Sequence, residues 1–307
     1  MRILVTGAAG FIGGHLCSKL RKEGHEVVPV DNFFHPSLAK TPGVRYCDVR
    51  DRKSVFDFAE SVDLVCHLAA QIHTDYSTLH PQETLDINIL GTLNVLEACR
   101  TLDRPMIFQS TSEVYGTAVH EAIDEQHPTN PPHVYGVSKL AADRLCGSYY
   151  ATYGLKVSIL RCFNCYGPWQ KSDSYGGVIS IFVRQALAGE PITVFGDGRQ
   201  SRDYVFVDDF LRAYDVAMKG GIAGKPMNFG TGVDFSILEI AQAVKKITGS
   251  SSPIVHLPSR IPEVQKLRAD ITLAARFGYA PTVTLEEGLR RFIDWYVAEG
   301  PGSKTRA

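Results

Sequence analysis

The stretch RILVTGAAGFIGGHLCSKLRKEGHEVVPVDN, residues 2–32, decides the fold. Arg2-Ile3-Leu4-Val5-Thr6 is a short apolar run of the kind that forms buried strands. Gly7, Gly10 and Gly13 follow at G-x-x-G-x-x-G spacing. Ile12, Leu16 and Leu20 then recur every four residues, with Lys19, Arg21, Lys22 and Glu23 on the other side. That pattern predicts an amphipathic helix ended at Gly24. Val27-Val28-Pro29-Val30 reads as a second strand. It closes in Asp31-Asn32, with Asp31 21 residues after Gly10. Glycines let the backbone approach a pyrophosphate at a helix N-terminus, whose dipole favours the anion. A carboxylate at position 31 accepts hydrogen bonds from ribose hydroxyls and repels a 2′-phosphate. The expected cofactor is therefore NAD rather than NADP, held at Gly7, Gly10, Phe11, Ile12, Gly13, Asp31 and Asn32.

Outward from this unit the alternation continues. Val44–Cys47 is a third strand leading to Asp48 and Val49, with Asp48 placed for the adenine edge. Asp63–Ala70 is a fourth, and the small residues at its end (Leu68, Ala69, Ala70) let a cofactor pass close. A helix opened by Asn88 carries Leu90, Leu93, Leu96 and Ala98. Pro105–Gln109 and Leu155–Leu160 are the fifth and sixth strands, the latter followed by Arg161–Tyr166. Strands alternating with helices predict an α/β fold with a doubly wound parallel Rossmann sheet, whose ligands bind at the carboxyl ends of the strands.

After Gly167-Pro168 the texture changes. The expected elements are a helix at Val178–Leu187, a strand at Thr193–Phe195, a helix at Val205–Met218 and a strand at Met227–Gly230. A further helix follows Phe235, then a strand at Pro253–Leu257 and a last helix at Leu285–Val297. The expected organisation is an NAD-binding domain over residues 1–167, with 203–232 returning to it. A second, smaller, interleaved substrate domain takes 168–202 and 233–300, and 301–307 forms a flexible tail.

Composition narrows the function. The chain has 307 residues, 44% of them hydrophobic, and a formal net charge of -1. A near-neutral balance favours neither nucleic acid nor an anionic membrane surface. No apolar run reaches the roughly 18 residues of a membrane span. Seven scattered cysteines fit a reducing, cytoplasmic setting. Cys162 and Cys165 form a lone C-x-x-C without a second pair or an adjacent His pair, so no metal is expected.

The chemistry is concentrated between Gln109 and Lys139. Ser110, Thr111, Ser112 and Glu113 place three hydroxyls and a carboxylate just beyond a buried strand. Tyr135 and Lys139 stand four apart ahead of a helix-forming run, so they share a helix face. An ammonium beside a phenol favours the phenolate, and a Tyr so tuned takes a proton from a sugar hydroxyl.

These pieces together resemble the extended short-chain dehydrogenase/reductase family, in its nucleotide-sugar epimerase/dehydratase branch. The matching segments are TGAAGFIG (Thr6–Gly13), DN (Asp31-Asn32), HLAA (His67–Ala70), NILGT (Asn88–Thr92), STSEVYG (Ser110–Gly116), YGVSK (Tyr135–Lys139), FNCYGP (Phe163–Pro168), FGDGRQSRDYVFVDD (Phe195–Asp209) and FGTG (Phe229–Gly232). The resemblance implies a tightly bound NAD reduced and reoxidised in each turnover. Tyr135 is then the base for the sugar 4-hydroxyl, Lys139 lowers its pKa and holds the nicotinamide ribose, and Thr111 binds the 4-oxygen. Ser110, Asn88 and Phe163 join the cofactor set. Asn164, Val178, Ile179, Phe195, Arg202 and Arg260 form the substrate set, for a UDP-, dTDP- or GDP-sugar. The helices Asp86–Arg100 and Val134–Tyr150 are implied to pair with a second copy in a homodimer.

Position 113 splits the branch. A C4 ketone acidifies the C5 hydrogen, and a carboxylate that removes it allows loss of the C6 hydroxyl. Glu113 therefore favours a 4,6-dehydratase. Ser112 stands where other dehydratases carry an Asp as acid, which leaves that acid unidentified. Thr-Ser-Glu is also similar to UDP-glucuronate decarboxylases. Tyr175–Phe182 (YGGVISIF) resembles the substrate loop of 4-epimerases. A protein that only senses a dinucleotide is the remaining reading, but such proteins tend to lose the Tyr or Lys that this chain keeps.

Overall fold

The computed structural model describes residues 1–38, 40–173, 176–259 and 263–301. Tyr175, Arg260 and residues 302–307, which figure in the expectations above, lie outside them. The first half of the chain runs β1 (Arg2–Thr6), α1 (Phe11–Lys22), β2 (Glu26–Asp31), β3 (Arg45–Tyr46), α2 (Arg52–Ala59), β4 (Leu64–His67), α3 (Thr74–Leu79), α4 (Pro81–Leu85), a π-helical turn (Asp86–Leu90), α5 (Gly91–Thr101), β5 (Met106–Thr111), α6 (Val134–Tyr153) and β6 (Val157–Cys162). The second half runs β7 (Asn164–Tyr166), α7 (Val178–Ala188), β8 (Ile192–Phe195), β9 (Ser201–Phe206), α8 (Val207–Lys219), β10 (Pro226–Phe229), β11 (Asp234–Ser236), α9 (Ile237–Thr248), β12 (Ile254–Leu257), β13 (Lys266–Leu267), α10 (Thr272–Arg276) and α11 (Leu285–Ala298).

Seven strands make one parallel sheet in the order β10-β6-β5-β4-β1-β2-β3. Strand alternation explains why helices cover both faces. Ile3 and Val5 point into a core shared with Leu16, Leu20, Phe210 and Tyr214 of α1 and α8. Leu4 points the other way, into a core with Val55 of α2, Val95 and Leu96 of α5 and Ala142 and Cys146 of α6. A strand buried on both faces carries a continuous apolar run, as β1 does. β1 to β4 and β5 thus place all their carboxyl ends on one rim, where the glycine turn and Thr111–Glu113 meet.

The second, smaller region is interleaved with this sheet. β10 returns from it to pair with β6 at the sheet edge. β9 is the centre of a small sheet with β7, β11 and β13, and β8 pairs with β12. Two differences from expectation bear on the site. Val205 and Phe206 finish β9 rather than open a helix, because they pair with Cys165 and Tyr166 of β7, and α8 starts at Val207. Asn88 does not open a helix: helical structure already runs from Pro81, and Asn88 is fully buried in its π-helical turn.

Candidate active site

A cavity of about 420 Å³ opens along the carboxyl rim of the sheet. Its cofactor wall is the glycine turn. Gly7 has φ of 73°, and a Cβ there would lie 2.8 Å from Ala69 N and 2.9 Å from Leu68 C. A Cβ on Gly13 would lie 2.1 Å from Gly7 O. Only glycine lets the turn nest against the end of β4 and leave a cradle over α1. Gly10 caps α1 without a side-chain hydrogen bond, so the first N–H groups of the helix face the cradle, a ready anion site. Behind it, Thr6 Oγ accepts from the N–H groups of Leu68 and Ala69 (both 3.2 Å) and bonds buried His67 Nδ1 (2.8 Å), whose Nε2 reaches Thr92 Oγ (3.1 Å). Burial, helped by the charge of Lys139, pulls His67 down to about 3, so it is a neutral strut.

At the end of β2, Asp31 lines the cavity. Its two oxygens accept from Ala9 N (3.0 Å) and Phe33 N (2.7 Å), which ties the turn to the strand end. Burial nonetheless pushes its carboxyl above the usual carboxylate range. A glycine cradle at a helix N-terminus, closed by a carboxylate, fits the pyrophosphate and ribose of NAD.

The opposite wall is catalytic in character. β5 ends at Thr111, whose Oγ accepts from Glu113 N (3.2 Å) and starts a single 3₁₀ turn. That turn swings Glu113 into the cavity, where its Oε2 is 3.0 Å from His133 Nε2. Burial drives the Glu113 carboxyl up, but the His133 hydrogen bond and the charge of Arg202 outweigh it and leave it below its ordinary value. α6, capped by His133 and ended by Gly154 in the left-handed region, carries Tyr135 and Lys139 on its cavity face. The Thr111 hydroxyl is near enough to the Tyr135 phenol to pull its pKa down.

The electrostatics of the Tyr–Lys pair differ from the sequence expectation. Burial pushes the Tyr135 phenol well up against the pull of the Thr111 hydroxyl, and the Glu113 charge adds to the rise. Lys139 is not among the groups that shift it. The ammonium donates instead to the Gln109 carbonyl (2.7 Å) and lies 4.2 Å from the centroid of the Phe108 ring. Burial without a carboxylate partner pushes Lys139 down to about 8.

Of the expected residues, Gly7, Gly10, Phe11, Ile12, Gly13, Asp31, Asn32, Val49, Leu68, Ala69, Ala70, Ser110, Thr111, Ser112, Glu113, Tyr135, Lys139, Phe163, Asn164, Val178 and Ile179 line this cavity. Asp48 does not. It is held one layer back by Arg50 (2.9 and 2.7 Å) and by Asn32 Nδ2 (3.1 Å), and the Arg50 hydrogen bonds lower its carboxyl to about 2. Asn88 does not line the cavity either: it bonds the backbone of Gln71 in both directions and Ser138 Oγ, each at 2.8 Å. Ser110 reaches the cavity, but its hydroxyl donates to Asp143 (2.8 Å). Phe195 and Arg202 lie off the lining, although the charge of Arg202 is felt at Glu113. Sequence reasoning missed Phe34, His35, Gln71, His73, Gln170, Lys171 and Tyr204, which do line it. Gln71 directly follows the His67–Ala70 segment and Tyr204 stands two beyond Arg202, so both were in reach of strand alternation. Gln71 Oε1 and the Tyr204 hydroxyl are buried without a hydrogen-bond partner among the described residues.

Fold and site define an NAD-dependent enzyme of the extended short-chain dehydrogenase/reductase type. The chain belongs to the NAD dependent epimerase/dehydratase family, whose model matches residues 3–230. It is 35% identical to a UDP-N-acetyl-alpha-D-glucosaminuronate decarboxylase of Bacillus cytotoxicus, over 96% of this chain and 97% of that one. Among solved structures it is similar to the UDP-glucose 4-epimerase of Thermotoga maritima with UDP-glucose, at TM-score 0.92 and 34% identity over 96% and 98% of the two chains. It is also similar to DesIV, the dTDP-glucose 4,6-dehydratase of Streptomyces venezuelae solved with NAD, at TM-score 0.91 and 30% identity over 97% and 98%. No helix among the described residues is long and apolar enough to cross a membrane.

Proposed function

We propose that this chain modifies a nucleotide sugar through transient oxidation at C4, and that it is an NDP-hexose 4,6-dehydratase. NAD, when bound, supplies the electron acceptor for C4. Thr111 binds the 4-oxygen and Tyr135 takes the 4-hydroxyl proton. Lys139, the one lysine on the α6 face of the cavity, holds the nicotinamide ribose. Glu113 takes the C5 proton made acidic by the new ketone, and the C6 hydroxyl leaves as water with a proton from the acid at C6. The hydride taken from C4 is returned to C6 while C5 regains a proton, so the net change is loss of water. Ser112, buried beside them, stands at the C6 acid position. Asn164, Val178 and Ile179, which line the cavity, face the nucleotide, and Arg202, whose charge reaches Glu113, meets the diphosphate.

The observation that carries this reading is Glu113. Its carboxylate lines the same cavity as Tyr135 and is kept ionised by His133 and Arg202. A charged base beside the redox centre serves an elimination and hinders the turnover of a keto sugar that a 4-epimerase needs. A decarboxylase is the second reading. Ser112 in place of an acidic residue favours it, as does the 35% identical decarboxylase relative.

Mass spectrometry after incubation with NAD and a panel of UDP-, dTDP- and GDP-sugars tests the proposal. Loss of water supports it, loss of carbon dioxide selects the decarboxylase, and unchanged mass with a new isomer selects the 4-epimerase. Glu113→Gln should still reduce the cofactor yet stop exchanging the C5 hydrogen with deuterated solvent. Wild-type turnover by that variant removes the dehydratase reading. We also propose a homodimer through α6 and the π-helical turn that leads into α5, on the exposed apolar side chains of Leu90, Val137 and Tyr150. Sedimentation at micromolar concentration should give twice the chain mass, and a monomer refutes it.

A further inference from the structure

His133 lies beside the reacting groups and is used by none of the steps above. Its side chain is 8% exposed and sits at the N-cap of α6. N-caps are usually Ser, Thr, Asp or Asn, whose short side chains reach one backbone N–H and no further. His133 reaches two ways. Gly136 N–H donates to its Nδ1 (3.0 Å). A ring nitrogen that accepts this bond carries no proton, so the ring hydrogen is on Nε2. Nε2–H then donates to Glu113 Oε2 at 3.0 Å. The imidazole also lies within 16° of parallel to the Tyr135 ring, 6.1 Å between centroids. Gly136 makes the room: a Cβ there would come within 2.9 Å of Glu113 O and 3.2 Å of His133 Cε1.

We propose that His133 is a positioning residue that locks Glu113 to the helix bearing Tyr135 and Lys139. One carboxylate oxygen is held by Nε2–H, and the other is presented to the C5 hydrogen. The two walls of the reaction, the end of β5 and the start of α6, are thereby kept in register by one side chain. This rests on the reading of Glu113 as the C5 base. The titratable and charged groups facing Glu113 are His133 and Tyr135 from α6 and Arg202 from β9.

The test compares full-length wild type, His133→Ser, His133→Ala and Glu113→Gln. Serine keeps the cap and is too short to reach Glu113, whereas alanine loses both bonds. Unfolding by denaturant should leave His133→Ser near wild type and His133→Ala less stable. With NAD, and UDP-glucose or dTDP-glucose as probe, His133→Ser should reduce the cofactor at the wild-type rate. Its C5 exchange with deuterated solvent should fall about 10–100-fold, the worth of a hydrogen bond to a charged group. The acid limb of that exchange should move to higher pH, because Glu113 loses the bond that holds its carboxyl low. Without any sugar, long-range ¹⁵N–¹H spectra should show His133 as the Nε2–H tautomer, assigned by its absence in His133→Ser. An unchanged exchange rate and acid limb in His133→Ser, with Glu113→Gln silent, overturns the positioning role alone. Exchange that persists in Glu113→Gln overturns the dehydratase reading itself. If neither probe is oxidised the tautomer decides, and an Nδ1–H ring overturns the proposal.

Discussion

Two buried polar networks hang from α6, one turn apart, and they are built on opposite principles. The deeper one is closed. Arg161 is 1% exposed and forms two bonds to Asp143 (2.9 and 3.0 Å) and one to the Tyr115 hydroxyl (2.8 Å). That hydroxyl donates to Asn228 (2.7 Å), whose amide donates to Ile123 O (2.9 Å). Charge meets charge, and none of these residues lines the cavity. The upper network is open. Lys139 is equally buried, yet Asp143, four residues on, has gone to Arg161. Among the described residues the lysine is bonded to a carbonyl and faces a ring, and Asp143 reaches it only through its charge. Its charge, the raised phenol of Tyr135 and the ionised Glu113 all face the cavity. A satisfied buried charge stabilises a fold, and an unsatisfied one beside a cavity is poised for chemistry.

The sharpest way to break this contrast is at Tyr135. Tyr135→Phe should lower turnover by about 10²–10⁴-fold, the usual worth of a general base, with unfolding unchanged. Next is the closed network. Asp143→Ala leaves the Arg161 charge buried and unpaired, and equilibrium denaturation should show a loss of about 3–5 kcal/mol. A mild effect there would mean the pair is less isolated from water than its geometry states.

Lys139→Met should do the reverse of Asp143→Ala. Lys139 falls from 10.5 unfolded to about 8 folded. Between those values the unfolded chain binds more protons, so wild-type stability rises with pH across that window, and below it the full penalty stands. Removing the charge should stabilise the NAD-free protein at neutral pH by up to ~3 kcal/mol while weakening NAD binding. The gain should shrink as pH rises through the window. Denaturation at neutral and alkaline pH measures it. The smallest effect belongs to the cofactor wall. Asp31→Ala removes a charged acceptor and should weaken NAD by about 10–100-fold. NADP should change less, so titration of both cofactors should show the preference narrow.

The cofactor wall was legible because it is local. Gly7 to Asp31 is one strand-turn-helix-strand unit, and the close approaches that require its glycines lie within it or at the end of β4. The catalytic wall was legible only as residue types. Thr111, Glu113, Tyr135 and Lys139 were all named, and all line the cavity. The coupling between them was misjudged, because i, i+4 spacing puts Tyr135 and Lys139 on one face without saying what else competes for the ammonium. Gln109 O and Phe108 do. Asp48 and Asn88 stand off the cavity lining for a related reason: motif position does not show that Arg50, Asn32, Gln71 or Ser138 will take up their polar groups.

By itself, then, the sequence determined the doubly wound sheet, the NAD site and the inventory of reactive groups. Hydrophobic periodicity, glycine conformation and charge act over short range and are written residue by residue. Tertiary structure alone decided which carboxylate pairs with Arg161, which cation stays unpaired, and that His133 joins Glu113 to α6. Those outcomes are competitions among groups up to 113 positions apart, as between Tyr115 and Asn228. Only packing sets the distances over which a hydrogen bond or a buried charge is won or lost.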